Sequence, residues 1–579
     1  MKHCFFLFFL VCIAFGHSEG AQSGDSVEAQ VPDSASLSAA RNPPWRIIYN
    51  NDTTNILNCQ SPFNPPSVSG APAGVLTEEK IRASVREACV EGIDAQVISP
   101  AHCWVAWWRS QRLPLAEHER WFRAHYGVEP DLAEHRYLLS GGDIIDPFID
   151  ECHKQGRAAL ISFRANDGHH LEQAFKAKPS GKVAHSCSRF YVEHPEYRLA
   201  PVGNEELKAR VHDWAIAPAR RYKEDMLAEL IQNYPQADGI EIDFQRHPYY
   251  FRDDFPLGKR IEVMVDFLKK ARFQLDEVAR KTDGRHRWLG VRIPAWIAYR
   301  AGSWSDVGLD FAAWRAAGVD YFNLSANYDM TQQTDLAEAR RRAGDAKIYQ
   351  ELTHTTMTWR MGGPGYDDHQ FRRSTREALE STALLAYARG ADGLSLFNFA
   401  YYRPHGGMLK YKAPFNEPLF GVVPALIDRT KLEQSNRYFY LRPVGDKCFS
   451  KKNQSFEFKM DILPAPDNGS AILRLLVVTD KERPQSELEP VADIDRSDWE
   501  VCVNARRLRR IKNPFAAYPF PTEIKSGFNN ASQYVAYEVP PGVLVNGINT
   551  VSVQRTSADP LWLRWIEIVQ PTKISAMRP

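Results

Sequence analysis

Two acidic residues lie inside an apolar run in the segment DGIEIDFQRHP, residues 238–248. Glu241 and Asp243 are two positions apart, and side chains at that spacing in a β-strand point to the same face. Acids are rarely buried unless they are paired or functional. Two carboxyl groups in one site can cleave a glycosidic bond, because one protonates the leaving oxygen and the other acts as nucleophile or as base toward water. The segment therefore indicates acid–base chemistry, and an ion-pair network with Arg164 or Arg292 is the structural alternative.

The elements that position these acids form a regular series. Short apolar runs alternate with helical patterns, and their continuous apolar character is typical of parallel strands covered on both faces. The series predicts a (β/α)8 TIM barrel followed by a smaller domain, and a doubly wound open sheet is the structural alternative. Thr77 and Asp146 precede two helical patterns and are predicted to be their N-caps. The predicted strands are 46–51, 94–100, 157–164, 238–244, 288–294, 319–327, 347–353 and 393–399.

The pattern changes on both sides of the predicted barrel, residues 44–436. From residue 437 to 579, strand-like runs such as AILRLLVVTD and LWLRWIEIVQ follow one another without helices, which predicts a separable antiparallel β-sandwich. Residues 1–20 combine one Lys with an apolar run and are predicted to be a signal peptide, and 21–43 have the composition of a disordered linker. We therefore expect a secreted or periplasmic protein without a membrane span.

Charge and residue spacing limit the partners. The chain has 72 Lys and Arg against 71 Asp and Glu, a net charge of +1, which gives no reason to expect nucleic acid as a partner. No HxH, HExxH or CxxC spacing indicates a zinc site, so we expect neither a metal nor an organic cofactor. The oligomeric state stays open.

Alternation along the predicted strands brings further polar residues to the C-terminal mouth of the barrel, where TIM-barrel sites lie. Asp243 on strand 4 and Glu351 at the end of strand 7 face each other across this mouth. Asn and Arg side chains can bind sugar hydroxyls, and Trp faces can stack on sugar rings; a single Trp is more often a packing residue, but together the aromatic residues after the predicted strands favour a carbohydrate cleft. The predicted substrate-binding residues are Arg164, Asn166, Asp167, His169, His247, Arg292, Asn327, Tyr328, Asn398, Trp104 and Trp296.

Five segments, taken in order, resemble exported bacterial glycosyl-hydrolase-like TIM-barrel proteins: IIYNND, ISFRANDGHH, DGIEIDFQRHP, LGVRIPA and ADGLSLFNF. The resemblance spans most of 45–430 and implies a glycoside hydrolase that acts on a poly- or oligosaccharide. The segment DGIEIDF is also similar to strand 4 of chitinase-like barrels, but Gln245 stands where their DxxDxDxE pattern has its catalytic Glu. Substrate-assisted chitinase chemistry is therefore not implied. The C-terminal part is similar to accessory β-sandwiches of such enzymes.

The resemblance also implies roles for three acids. Retaining barrel glycosidases commonly take their acid/base from strand 4 and their nucleophile from strand 7, which implies Asp243 as acid/base and Glu351 as nucleophile. Glu241, one layer deeper, is expected to raise the proton affinity of Asp243 through like charge. A retaining mechanism is therefore favoured over an inverting one.

Three other functions stay open at this point. A carbohydrate-binding barrel without catalysis would keep the aromatic residues. A metal-dependent hydrolase could use carboxylate and imidazole ligands, and a polysaccharide lyase could use a Tyr or His base. The candidate metal ligands are Asp167, His169, His170, His185 and His247.

Overall fold

The structure, a computed structural model, describes residues 42–58, 74–102, 104–176, 187–201, 206–298, 302–326, 330–353, 355–357, 371–399, 419–442, 447–479, 498–511 and 534–572. The predicted signal peptide, 1–20, lies outside this part of the chain, and so do residues 21–41 of the predicted linker. The predicted site residues Asn327 and Tyr328 also lie outside it.

Eight parallel strands close into a barrel, which confirms the predicted TIM-barrel fold. Each strand pairs with the next one along the chain, and the last strand pairs with the first. Every strand overlaps its predicted run. The strands are β1 (Ile47–Asp52), β2 (Ile93–Ser99), β3 (Ala158–Arg164), β4 (Gly239–Asp243), β5 (Trp288–Pro294), β6 (Tyr321–Ser325), β7 (Lys347–Thr353) and β8 (Gly393–Phe397).

One main helix follows each strand. These are α1 (Glu78–Glu87), α2 (Asp146–Lys154), α3 (Ala217–Asn233), α4 (Leu257–Lys281), α5 (Phe311–Ala316), α6 (Leu336–Ala343), α7 (Arg376–Ala388) and α8 (Arg429–Gln434). Further helices lie at Thr53–Asn58, Leu115–Tyr126, Ala133–Leu139, Leu171–Phe175, Arg189–Glu193, Pro195–Tyr197, Glu206–Ala209, Leu419–Val422 and Val423–Leu426. Two small hairpins pair Ala101–His102 with Val105–Ala106 and Thr355–Met357 with Phe371–Arg373. Within the described ranges, no helix has the length and apolar character needed to cross a bilayer.

The N-caps of two helices were predicted, one of them correctly. The side chain of Thr77 accepts a hydrogen bond from the backbone N–H of Lys80, as expected for the cap of α1. The prediction for Asp146 is wrong, because Asp146 is the first residue of α2. Asp143 instead accepts from the backbone N–H groups of Ile145 at 2.8 Å and Asp146 at 2.9 Å. An Asp side chain reaches amides two and three residues further on, so the turn before the helix supplies the acceptor.

The outer face of β4 packs against the helix layer. Ile240 and Phe244 belong to the large apolar core, and the rings of Phe244 and Phe267 of α4 have centroids 6.3 Å apart. Because successive side chains of a strand point to opposite faces, Glu241 and Asp243 point into the barrel. This confirms the predicted orientation of both acids.

The lower part of the barrel interior is filled by apolar and aromatic side chains. The rings of Tyr321 and Tyr349 pack edge to face with centroids 5.4 Å apart. Gly290 leaves the space for this packing, since a Cβ there would lie 2.0 Å from Cζ of Tyr321. The polar residues nearer the mouth therefore stand on a closely packed layer formed by Trp45, Ile48, Ala95, Val97, Leu160, Tyr321 and Tyr349.

The C-terminal region consists of two antiparallel sheets, as predicted. The first has the order β9-β18-β12-β16-β15, with β10 also paired to β18, and the second has the order β11-β17-β13-β14. The strands are β9 (Arg437–Leu441), β10 (Cys448–Phe449), β11 (Gln454–Ile462), β12 (Ala471–Val478), β13 (Trp499–Val503), β14 (Arg506–Arg507), β15 (Arg509–Ile511), β16 (Tyr534–Val539), β17 (Gly547–Arg555) and β18 (Leu561–Gln570).

Polar and apolar contacts join this region to the barrel. Tyr440 of β9 donates its hydroxyl to the backbone oxygen of Met330 at 2.6 Å, and its N–H donates to the side-chain oxygen of Gln332 at 2.8 Å. Arg389, just after α7, donates twice to Asp461 of β11, at 2.6 and 2.7 Å. Several C-terminal side chains also belong to the same apolar core as the barrel, namely Tyr438, Tyr440, Leu476, Tyr534, Trp565 and Val569.

Candidate active site at the barrel mouth

Arg292 joins the two acids that the sequence analysis assigned to catalysis. It lies on β5, beside Asp243 on the neighbouring strand β4. Its Nε and Nη2 donate to the two carboxylate oxygens of Glu351 at 2.6 and 2.8 Å, and its Nη1 donates to Oδ2 of Asp243 at 2.9 Å. All three side chains are buried. The structure therefore brings Asp243 and Glu351 together around a single guanidinium.

The remaining partners of both acids are also donors. Oδ1 of Asp243 accepts from the backbone N–H groups of Gln245 at 2.9 Å and Arg246 at 3.1 Å. Oε1 of Glu351 accepts from the hydroxyl of Ser325 at 2.5 Å. Donors of this kind stabilise ionised carboxylates.

The acids and the guanidinium shift each other's pKa values. Burial raises the pKa of Glu351 above its ordinary value, although the charge of Arg292 offsets part of this effect. Burial alone would lower the pKa of Arg292, but the charges of Asp243 and Glu351 outweigh it and raise that pKa. Arg292 is therefore a permanent positive charge between the two acids.

Glu241 lies one layer deeper and has different partners. Its Oε1 accepts from Nδ2 of Asn50 at 2.9 Å, and its Oε2 accepts from the hydroxyl of Tyr321 and from Nδ2 of Asn323, each at 3.3 Å. Burial raises the pKa of Glu241 to about 7; the charge of Arg292 offsets part of this effect, and the charge of Asp243 adds to it. The hydrogen-bond partners of Glu241 are themselves neutral.

The like-charge effect that the sequence analysis expected between the two acids is present at Glu241, where the charge of Asp243 raises the pKa. The expected effect of Glu241 on Asp243 stays a prediction. The register of the barrel places Arg292 beside Asp243 and Gly290 beside Glu241.

A second ion-pair network occupies the ends of β1, β3 and β8. Arg164 donates to Asp52 and, through Nη1 at 3.2 Å, to Asp167. Asn398 donates to Oδ2 of Asp52 at 2.8 Å and accepts from its backbone N–H at 2.9 Å. Burial alone would raise the pKa of Asp52, but the charges of Arg164 and Arg246, together with the hydrogen bonds from Asn398 and Arg164, outweigh it and lower the pKa. Arg164 and Asn398, both predicted to bind substrate, are thus buried and hydrogen-bonded to the ends of the strands.

Two histidines and Asp167 meet in the loops after β3 and β4. Oδ1 of Asp167 accepts from the backbone N–H of His169 at 3.1 Å, contacts Nδ1 of His169, and lies 3.2 Å from Nδ1 of His247. Nε2 of His169 lies 2.7 Å from Nη2 of Arg246. His247 has a φ of 52°, and its Nδ1 accepts from the N–H of Gly168 at 3.1 Å. The loops therefore place the predicted residues Asp167, His169 and His247 in one cluster.

Asn166 has a different position from the other predicted polar residues. Its Nδ2 donates to the backbone oxygens of His212 at 2.9 Å and Tyr249 at 2.8 Å, and its Oδ1 accepts from the N–H of His212 at 3.2 Å. The side chain is fully buried. Asn166 therefore connects the loop that contains His212 to the loop that contains Tyr249 through hydrogen bonds.

The two predicted tryptophans differ in accessibility. Trp104 is fully buried, with the ring of His212 at 4.2 Å between centroids and Nζ of Lys223 at 4.3 Å from the ring. Neither face of such a ring is open to a sugar. Trp296 is half-buried and donates its Nε1 to the backbone oxygen of Gln333 at 2.9 Å. Of the two, only Trp296 presents surface to solvent.

Two residues of the site escaped the sequence analysis. Asp52 lies on the inward face of β1, two positions after Asn50, and alternation along IIYNND could have identified it. Arg246 lies beyond the end of β4, where alternation no longer predicts an orientation. Its guanidinium carbon lies 5.7 Å from the ring centroid of Phe397.

The comparisons with known proteins concern the fold. No protein-family model matches the chain, and no curated protein matches it. Among solved structures, a Group IV chitinase from Ostrinia furnacalis is 11% identical with a TM-score of 0.35, and the match covers 66% of this chain and 99% of that chain. A class V chitinase from Pseudomonas fluorescens Pf-5 is 11% identical with a TM-score of 0.32, covering 66% and 100%. A gamma-CGTase from an alkalophilic Bacillus clarkii is 11% identical with a TM-score of 0.34, covering 88% and 70%. Likenesses of this strength carry no argument about the activity of this chain.

Proposed function

We propose that the protein is a glycoside hydrolase that cleaves a poly- or oligosaccharide at the C-terminal mouth of its barrel. The observation that supports the proposal most is the pairing of Asp243 and Glu351 with one guanidinium, that of Arg292. Hydrolysis of a glycosidic bond needs two carboxyl groups in one site. A shared arginine keeps both carboxyl groups within reach of one bond.

In this proposal Asp243 enters the reaction protonated, which requires one of its oxygens to be released from the donors that it meets in the structure when substrate binds. Asp243 then protonates the leaving oxygen, and Glu351 is the nucleophile of a retaining mechanism. Glu351 begins as an ionised carboxylate with Arg292 on both oxygens. When one oxygen bonds to the anomeric carbon, the carboxylate loses its charge and Arg292 faces Asp243 alone. This favours the ionised form of Asp243, which has just given up its proton and next takes one from water. Arg292 would thus couple the two steps electrostatically.

The complete hydrogen bonding of the same acids supports a second candidate, a carbohydrate-binding barrel without catalysis. Each carboxylate oxygen of Asp243 and Glu351 has a protein donor within 3.1 Å. Buried ion pairs of this kind also occur as purely structural networks.

The test is a polysaccharide panel assayed in parallel for released reducing ends and for the absorbance of unsaturated uronates. Reducing ends without unsaturation support hydrolysis, whereas unsaturated products indicate a lyase. Asp243→Asn and Glu351→Gln should each lower kcat by about 100- to 10,000-fold in a protein that stays folded. Glu277→Gln, on the surface of α4, is the matched control and should retain full activity. Sugar binding without any product would replace the proposal by the second candidate.

A further inference from the structure

The proposed reaction leaves the cluster of Asp167, His169 and Arg246 without a role. The three side chains form a chain of contacts, in which Asp167 bonds to Nδ1 of His169 and Nε2 of His169 lies 2.7 Å from Nη2 of Arg246. Asp167 and Arg246 are buried, whereas the side chain of His169 is 24% exposed. His169 is therefore more accessible than Asp243 and Glu351, which are 1% and 2% exposed.

The partners of His169 fix which ring nitrogen carries the proton. A guanidinium has only donors, so Nε2 must accept from Arg246 and must carry the lone pair. The proton of the neutral ring is then on Nδ1, where it points at the carboxylate of Asp167. Burial, together with the charge of Arg246, holds the pKa of His169 well below its ordinary value. The ring is thus a neutral acceptor at Nε2 at neutral pH, also in the presence of His170 and His247, whose rings lie 5.9 and 4.9 Å away.

The same assignment argues against a metal ion at this place. Asp167, His169 and His247 each offer one ligand atom, and these atoms lie within 4.8 Å of one another. A metal would need the lone pair of Nδ1 of His169, but the bond from Arg246 leaves a proton there. A metal-binding histidine normally donates its other ring N–H to an acceptor, and here the other nitrogen faces a donor.

We propose that Nε2 of His169 and Nη2 of Arg246 form a subsite for a sugar hydroxyl, with Asp167 as the positioning residue. A hydroxyl can both donate and accept, so it can enter between the two groups, donating to Nε2 and accepting from Nη2. Without sugar, Nη2 of Arg246 donates a hydrogen bond to Nε2 of His169, so both groups already have a partner. This inference rests on the proposed function only in that the ligand is a carbohydrate. It selects a sugar unit with a free hydroxyl at the bound position and rejects the corresponding deoxy sugar.

Nuclear magnetic resonance of protein labelled with ¹⁵N-histidine tests the subsite without turnover. We expect the signals of His169 to show a proton on Nδ1 and none on Nε2. Titration with glucose, galactose, mannose and xylose should shift the His169 signals with at least one sugar and leave those of His286 unchanged, since His286 bonds to Asp320 at the other end of the barrel. A proton on Nε2, or unmoved His169 signals with all four sugars, would overturn the proposal. So would a shift of His169 and His247 on addition of Zn²⁺ alone.

Kinetics on the polysaccharide that the panel identifies give the second test. His169→Ala should raise KM about ten- to a hundredfold with little change in kcat, because one hydrogen bond to a ground-state hydroxyl is lost. His169→Gln should recover part of the affinity, since its amide oxygen can accept the hydroxyl. His286→Ala, at the other end of the barrel, is the matched control and should leave KM unchanged. An unchanged KM in His169→Ala would refute the subsite while the hydrolase proposal stands. Sugar-dependent shifts of the His169 signals without any released product would support the subsite and refute the hydrolase proposal.

Discussion

Glu241→Gln is expected to remove a pH dependence of stability that the unaltered protein carries. Burial raises the pKa of Glu241 to about 7 from an ordinary value of 4.5. A carboxyl group whose pKa is higher in the folded state stabilises that state below the unfolded value, and this contribution is lost as the pH rises through the folded value. The interval from 4.5 to about 7 corresponds to about 3 kcal/mol. This free energy should be lost between about pH 4 and pH 8.

Glutamine is the closest uncharged replacement for Glu241, and Asn323, which loses an acceptor, keeps its bond to Ser395 at 3.1 Å. Its amide oxygen can accept from Asn50, and its amide N–H can donate to Tyr321 once the phenol hydroxyl turns. The variant lacks an ionisable group at this position, so its stability should lack this part of the pH dependence. The free energy of unfolding of the variant, relative to that of the unaltered protein, should therefore increase as the pH rises.

The assay is urea unfolding followed by tryptophan fluorescence at a series of pH values. Glu117→Gln is the control and should follow the unaltered protein, since the side chain of Glu117 is 66% exposed. Glu134 also has a pKa raised to about 7 by burial, but it is present in both proteins and cancels in the difference. Parallel stability curves for Glu241→Gln and the unaltered protein would refute the reasoning, because they would show that Glu241 titrates alike when folded and unfolded.

Three further predictions concern the ion pairs of Arg292, the C-terminal sheets and the N-terminal leader. Arg292→Met should lower the free energy of unfolding in urea by about 3–5 kcal/mol, because two buried carboxylates lose their counter-charge. An unchanged urea midpoint would show that the ion pairs contribute nothing to stability. Deletion of 437–579 should yield an aggregated or poorly folded barrel, contrary to a separable sandwich, because Tyr440 and Trp565 belong to the barrel core; a monomeric product with native circular dichroism would contradict this. Export should remove the leader near residues 17–23, and mass spectrometry that finds an intact Met1 on protein from the native host would refute it.

The sequence by itself determined the positions of the barrel strands and the faces of their side chains. The eight apolar runs overlap the eight strands, and alternation along DGIEIDF places Glu241 and Asp243 inward, as observed. These features are local, because hydrophobic periodicity and a two-residue repeat decide them within a single strand. Alternation also identified Arg292 and Glu351 as residues of the mouth.

Tertiary structure alone decided which of these groups pair and how burial and neighbouring charges shift the pKa of Glu241. The register between β4 and β5 places Arg292 beside Asp243, and curvature of the barrel brings Glu351 to the same guanidinium, neither of which is encoded in the pattern of one strand. The positions of residues beyond the strand ends could be predicted least from the sequence. Arg246 and His247, for example, lie in a loop whose path depends on its neighbours. A pKa reflects burial and charges from distant parts of the chain, so the assignment of the raised value to Glu241 required the folded arrangement.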